Sequence, residues 1–175
     1  MAYTITETRL GLPPLTSITS VASAGLLNTT GFPVGTIVRA TDPTYGSGEF
    51  VYLPGVASNT VGSLVYWNQS ANTVTLSPTS GNSARPVAVS MAANTSTTAL
   101  SWYQIFGAAV IKKTAVKINP DVSVFISATA GRIKAVASAG LQILGARSIN
   151  AATVASATST VLVLIERPHL QGQIT

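Results

Sequence analysis

Asn72-Thr73-Val74-Thr75-Leu76-Ser77 alternates without a break, with Val74 and Leu76 on one side of an extended chain and Thr73, Thr75 and Ser77 on the other. Successive side chains of a strand point to opposite faces, so this period of two predicts a half-buried β-strand. The same reading extends in both directions. Upstream, residues 63–68 carry Leu64, Val65, Tyr66 and Trp67, and residues 49–53 spell Glu-Phe-Val-Tyr-Leu, both dense in β-formers. Residues 34–40 contain Ile37 and Val38. Asp42-Pro43, Gly46-Ser47-Gly48 and Pro54-Gly55 punctuate these runs as turns. Downstream, residues 86–92 set Val87, Val89 and Met91 against Ala88, Ser90 and Ala92, and residues 100–106 put Leu100, Trp102, Gln104 and Phe106 on one face. Residues 108–118 are β-rich, and residues 122–127 set Val122, Val124 and Ile126 against Ser123, Phe125 and Ser127. Gly131 turns the chain into residues 132–136, and residues 142–146 and 159–166 complete the set. Val161-Leu162-Val163-Leu164-Ile165 is apolar on both faces, which predicts a central strand or an interface.

Many short strands separated by Gly, Pro and Asn turns predict an all-β protein, a jelly-roll-like β-sandwich or barrel. Residues 140–157 are Ala-rich, but Ser and Thr interrupt them, leaving room for a short helix at most. Residues 1–33 differ from the rest. Leu10-Gly11-Leu12-Pro13-Pro14-Leu15 is apolar and Pro-rich with no period, so it is expected to be extended. The division is therefore an extended N-terminal arm or strap over residues 1–33 and a single β domain over residues 34–175. An exposed apolar arm is a liability unless something covers it. Two readings stay open: a strap over its own domain, or an arm gripping a neighbour. The candidate protein-interface residues are Tyr3, Ile5, Arg9, Leu10, Leu12, Pro13, Pro14 and Leu15 in this segment, with His169 and Leu170 near the other end.

Of the 175 residues, 46% are hydrophobic and only 9% charged, against about 25% charged in an average soluble domain. The surface must then be built from Ser, Thr, Asn, Gln and Gly, with little electrostatic protection against association. High hydrophobicity with low net charge excludes intrinsic disorder. No stretch approaches the roughly 20 apolar residues of a spanning helix, and Glu7 and Arg9 stand where a secretion signal would be apolar. Neither a membrane partner nor a signal peptide is expected. The three N-x-S/T sequons, at Asn28, Asn68 and Asn94, are then chance products of a Thr- and Asn-rich chain. Ten Lys and Arg against five Asp and Glu give a net charge of +5. Arg39, Arg85, Arg132, Arg147 and Arg167 are scattered singly, and only Lys112, Lys113 and Lys117 cluster, so no nucleic-acid partner is expected.

The residues that usually carry chemistry are scarce. There is no cysteine, which removes disulfides, thiol catalysis and thiolate metal sites. A zinc site needs three or four ligands, and His169 is the one histidine. No G-x-S-x-G elbow, G-x-x-x-x-G-K-[ST] loop or G-x-G-x-x-G turn occurs. The acidic residues are Glu7, Asp42, Glu49, Asp121 and Glu166, of which Asp42 and Asp121 sit beside prolines as turn residues do. No catalytic, cofactor-binding or metal site is expected. Two alternatives remain: a carbohydrate- or receptor-binding module of a tail or fibre with Trp67, Trp102 and Tyr103 exposed in one groove, and a hydrolase using Glu49 or Glu166.

Several segments resemble the small capsid cement or head decoration proteins of tailed bacteriophages. They are residues 35–40 (Gly-Thr-Ile-Val-Arg-Ala), 45–57 (Tyr-Gly-Ser-Gly-Glu-Phe-Val-Tyr-Leu-Pro-Gly-Val-Ala), 85–93 and 101–110, with Thr129-Ala130-Gly131 and Gly145-Ala146-Arg147-Ser148 further on. Together they span most of residues 34–150. The resemblance implies a jelly-roll-like sandwich on the outer surface of an icosahedral capsid, bridging neighbouring copies of the major capsid protein and associating with itself as a homodimer or homotrimer. It carries no catalytic motif and implies no cofactor.

Overall fold

In the computed structural model the described residues are 3–6, 12–20, 32–77, 79, 81 and 83–172. They form twelve strands and no helix: β1 (Thr4–Ile5), β2 (Thr19–Ser20), β3 (Ile37–Asp42), β4 (Gly46–Pro54), β5 (Leu64–Asn68), β6 (Thr73–Leu76), β7 (Val87–Ser90), β8 (Ala99–Lys112), β9 (Ser123–Ile126), β10 (Ile133–Lys134), β11 (Gln142–Ser148) and β12 (Thr160–Leu170). All pairings among them are antiparallel, in the order β1-β3-β4-β8-β12-β11-β9-β10. A branch adds β7, β5 and β6 through β8, and β2 also pairs with β8. The all-β expectation holds. The barrel option does not, because the sheet is not closed: β1 and β10 are its unjoined ends.

β8 organises the sheet. It pairs with β4 along residues 100–106 and with β12 along residues 106–112. The sequence divides this stretch at Gly107 into two runs, yet one 14-residue strand passes through it. Gly107 sits at a φ of +97°, and a Cβ there would lie 2.4 Å from the Ser47 carbonyl oxygen. Only glycine allows both the left-handed backbone and that approach, so β8 bends and changes neighbours without a break.

Turn chemistry fixes the hairpin of β3 and β4. Asp42 Oδ1 accepts the backbone N–H of Thr44 at 2.8 Å and of Tyr45 at 3.0 Å, an Asx-turn that pre-forms the bend before Gly46. The Ala-rich stretch is no helix. β11 occupies its first half, since its carbonyls and amides find partners on both β9 and β12. Val161 to Ile165 lies in a central strand, between β8 and β11, as its two apolar faces require.

The interior divides into three clusters. An aliphatic one joins Leu64, Val87, Val89, Ile111, Ile126, Ile143, Val163 and Ile165 with their neighbours. An aromatic-rich one holds Leu15, Val38, Ala40, Phe50, Tyr52, Leu100 and Trp102. The third joins Val51, Leu53, Val65, Trp67, Ala88, Tyr103 and Ile105, with Val74 and Leu76 packed on it. Alternation explains the last two: Phe50 and Tyr52 face one side of β4 and Val51 and Leu53 the other. Both faces of β4 and of the first half of β8 are covered, one by the branch strands and the other by the N-terminal segment.

Candidate docking surface

The described part of the N-terminal segment lies on its own domain. β1 pairs with β3 through Thr4 with Thr41 and Ile5 with Ala40. The Tyr3 hydroxyl donates to the Ala108 carbonyl at 2.8 Å, and its ring meets Phe50 edge-on at 5.1 Å. Gln104 Nε2 donates to the Tyr3 hydroxyl at 3.3 Å and to the carbonyls of Phe106 and Ala108 at 3.1 and 2.8 Å. Burial in this contact pushes the Tyr3 phenol above its ordinary value, partly offset by the Gln104 hydrogen bond. Trp102 Nε1 donates to the Pro13 carbonyl at 3.1 Å. Pro13 and Leu15 are buried, Ile5 and Leu12 half-buried, and Pro14 exposed. Between the two pieces of the segment a groove of about 400 Å³ stays open, lined by Ile5, Leu12, Pro14, Leu15 and Met91 among others. Of the remaining sequence-predicted interface residues, Leu170 is buried in the aliphatic cluster and His169 is exposed, bridged to Pro86. Arg9 and Leu10 lie outside the described residues.

The three aromatic side chains of the groove reading are not on the surface: Trp67 is 7% exposed, and Trp102 and Tyr103 are fully buried. Tyr103 belongs to a polar network under the loop after β4. Its hydroxyl donates to the Pro54 carbonyl at 3.0 Å, and Asn59 Nδ2 reaches that hydroxyl at 3.2 Å and Ser90 Oγ at 2.9 Å. Burial pushes the Tyr103 phenol up to about 12, against the opposing pull of hydrogen bonds from Ser101 and Ser90.

Glu49, Asp121 and Asp42 are engaged separately, and Glu166 is exposed. Glu49 Oε1 takes Arg39 Nε at 3.2 Å and Oε2 takes Arg167 Nη2 at 2.8 Å, Asp121 pairs with Arg147 at 2.6 Å, and Asp42 closes its turn. Both oxygens of Glu49 are therefore taken by arginines. No cluster of three or more metal-ligating side chains occurs among the described residues. No helix long and apolar enough to cross a membrane is present among them either. The lysine cluster is split by burial. Lys113 is 1% exposed, and its ammonium donates to the carbonyls of Val116 at 2.8 Å and of Thr114 and Ser156 at 3.3 Å. Burial holds its pKa below the usual lysine value.

One surface was not foreseen in the sequence. Trp67, Asn68, Gln69 and Ser70 at the end of β5 face Ala84, Arg85 and Pro86 across a cleft of about 340 Å³. A second hollow of about 110 Å³ is lined by Ile37, Val87, Ile105, Arg167 and Pro168, with Trp67, Gln69 and Pro86 shared. The Trp67 backbone N–H donates to the Pro86 carbonyl, and the Leu170 N–H to the Arg85 carbonyl, which brings three distant segments to one rim. Arg85 lies over the Tyr66 ring, 5.0 Å from its centre. No local motif announces this site, because its walls come from β5, the segment just before β7 and the end of β12.

Comparison with protein-family models, curated proteins and solved structures found no match to this chain.

Proposed function

We propose that this chain is a structural virion protein that binds the outer surface of an icosahedral phage head and cements neighbouring major capsid subunits, acting as a homodimer or homotrimer. One observation carries the reading beyond the resemblance itself. Residues 35–40, 45–57, 85–93 and 101–110, which bear that resemblance, contribute β3, β4, β7 and most of β8, and these pair with one another as a continuous patch of sheet. A likeness scattered over unrelated parts of a fold would carry less weight.

The finer architecture belongs to the same proposal: a jelly-roll-like sandwich in which β5, β6 and β7 form a layer over β4 and β8. The shared cluster of Val51, Leu53, Val65, Trp67 and Tyr103 supports it. With only 9% charged residues, docking would rest on apolar and uncharged polar contact, with scattered arginines setting orientation. The receptor-binding alternative loses support, since the aromatic side chains it relied on are buried.

The test is the copy number in purified particles, by quantitative mass spectrometry against the major capsid protein. A ratio near one, or a simple fraction of it, is expected. A handful of copies moves the chain to a tail or fibre, and absence from particles ends the virion reading.

A further inference from the structure

Trp67, with Gln69 and Pro86, lines two hollows. The smaller one is walled by Ile37, Val87, Ile105 and Pro168, and the larger by Asn68, Gln69, Ser70 and Arg85. Trp67 is 7% exposed, and its Nε1 is buried with no acceptor among the described residues. A buried donor without a partner is rare in folded proteins, because the N–H has given up water for nothing. Here the orphan belongs to a side chain that lines both hollows. The charge is one-sided too. Arg85 lines one hollow and Arg167 the other, and neither is lined by an Asp or Glu. Glu49 takes the Nε and Nη2 of Arg167, leaving Nη1 without a hydrogen bond to it. Ile37, 40% exposed, adds apolar surface at the edge.

We propose that this divided cleft is a docking seat for an acidic segment of a partner protein. An aliphatic side chain of that segment fills the smaller hollow. An adjacent Asp or Glu enters the larger one, where its carboxylate meets the Arg85 guanidinium. Charge complementarity selects this occupant: the exposed Arg85 calls for an acceptor, and the apolar wall calls for a side chain beside it. Tryptophan and arginine are also the side chains that most often dominate interface energetics. The proposal deepens the capsid-docking reading and rests on it only for the partner being a shell protein.

The indole N–H resonances supply the test, because the chain has two tryptophans and Trp102 Nε1 is held by Pro13. The ¹⁵N-labelled full chain is titrated with the peptide Ac-Ala-Leu-Asp-Asp-Leu-amide and with its Asn-Asn counterpart. The acidic peptide is expected to move the Trp67 indole signal saturably, with a Kd below about 5 mM, and to leave Trp102 in place. Arg85→Ser is expected to weaken binding by about fivefold, read on the same Trp67 signal, with the unchanged Trp102 signal certifying the fold. Absence of a saturable shift, equal binding of the Asn-Asn peptide, or wild-type affinity in Arg85→Ser overturns the proposal. So does a Trp67 signal that moves with protein concentration alone, which would assign the cleft to a second copy. Particle copy number is read independently, so a failed titration with abundant copies removes the cleft and leaves the docking reading standing.

Discussion

Arg167 Nε and Nη2 both reach Glu49 Oε2, at 3.2 and 2.8 Å, from a position 118 residues further along the chain. Arg39 holds the other oxygen from the opposite side, so one carboxylate ties β3, β4 and the end of β12 together. The arginines are 72% and 67% exposed in their side chains and Glu49 only 12%, which sets how much each partner contributes. Arg167→Ala is expected to cost at most about 1 kcal/mol, as exposed ion pairs do. Glu49→Ala is expected to cost more, about 1–2 kcal/mol, because it removes both ion pairs at once. Urea denaturation of the single and double variants measures both. Equal costs would mean that the carboxylate does not bridge the two arginines.

Gly107 is the position where β8 changes partners. Gly107→Ala forces a Cβ to within 2.4 Å of the Ser47 carbonyl oxygen and holds alanine at a φ of +97°. The backbone conformation alone costs roughly 1–3 kcal/mol, and the close contact adds to it. Each kcal/mol lowers Tm by about 2–4 °C in a chain of this size. A drop of at least several degrees by calorimetry is expected, and an unchanged Tm would mean that β8 does not bend as described.

Leu15 closes the aromatic cluster over Trp102 and Tyr52. Leu15→Ala is expected to destabilise the protein by about 2–4 kcal/mol, within the range for buried leucine truncations. A truncation lacking residues 1–15 also removes the Pro13 carbonyl from Trp102 Nε1, so its tryptophan emission is expected to shift to the red. Wild-type stability and emission in both variants would assign the segment to a neighbour instead of its own domain.

Tyr103 predicts an alkaline limit. Its folded pKa of about 12 lies above the ordinary 10.0, so the unfolded chain loses the phenolic proton first. Stability contributed by the protonated form is complete below pH 10 and is lost as pH rises towards 12. Two pKa units correspond to about 3 kcal/mol. Lys113 acts in the opposite sense. Its lowered folded pKa makes stability rise with pH between that value and 10.5, so the net decline is expected to begin only near the top of this window. Tyr103→Phe is expected to flatten most of the decline in Tm between pH 10 and 12, with Tyr3 leaving a residue of it. An unchanged pH profile would show that another group governs it.

His169 is exposed on the rim beside Pro86. His169→Ala is expected to change stability by less than about 0.5 kcal/mol, as surface substitutions do. A larger loss in chemical denaturation would reveal a partner for the imidazole.

The strands themselves were legible before any coordinates. Thr73 to Leu76, Val87 to Ser90 and Val161 to Ile165 declare themselves through a period of two or a two-faced apolar run, and Asp42-Pro43 declares its turn. These are local properties, set by side-chain alternation and backbone preference, so a single sequence contains them. The absence of cysteine from the sequence also removes disulfides, thiol catalysis and thiolate metal sites. Four features became visible only in the tertiary structure: the passage of one strand through Gly107, the open sheet, the seating of Pro13 over Trp102, and the meeting of Trp67, Arg85 and Arg167 at one rim. Each depends on residues tens of positions apart, brought together by register and burial across the whole sheet. The free energy that selects such pairings belongs to the assembled core and to no single segment, and so it leaves no mark in the local pattern.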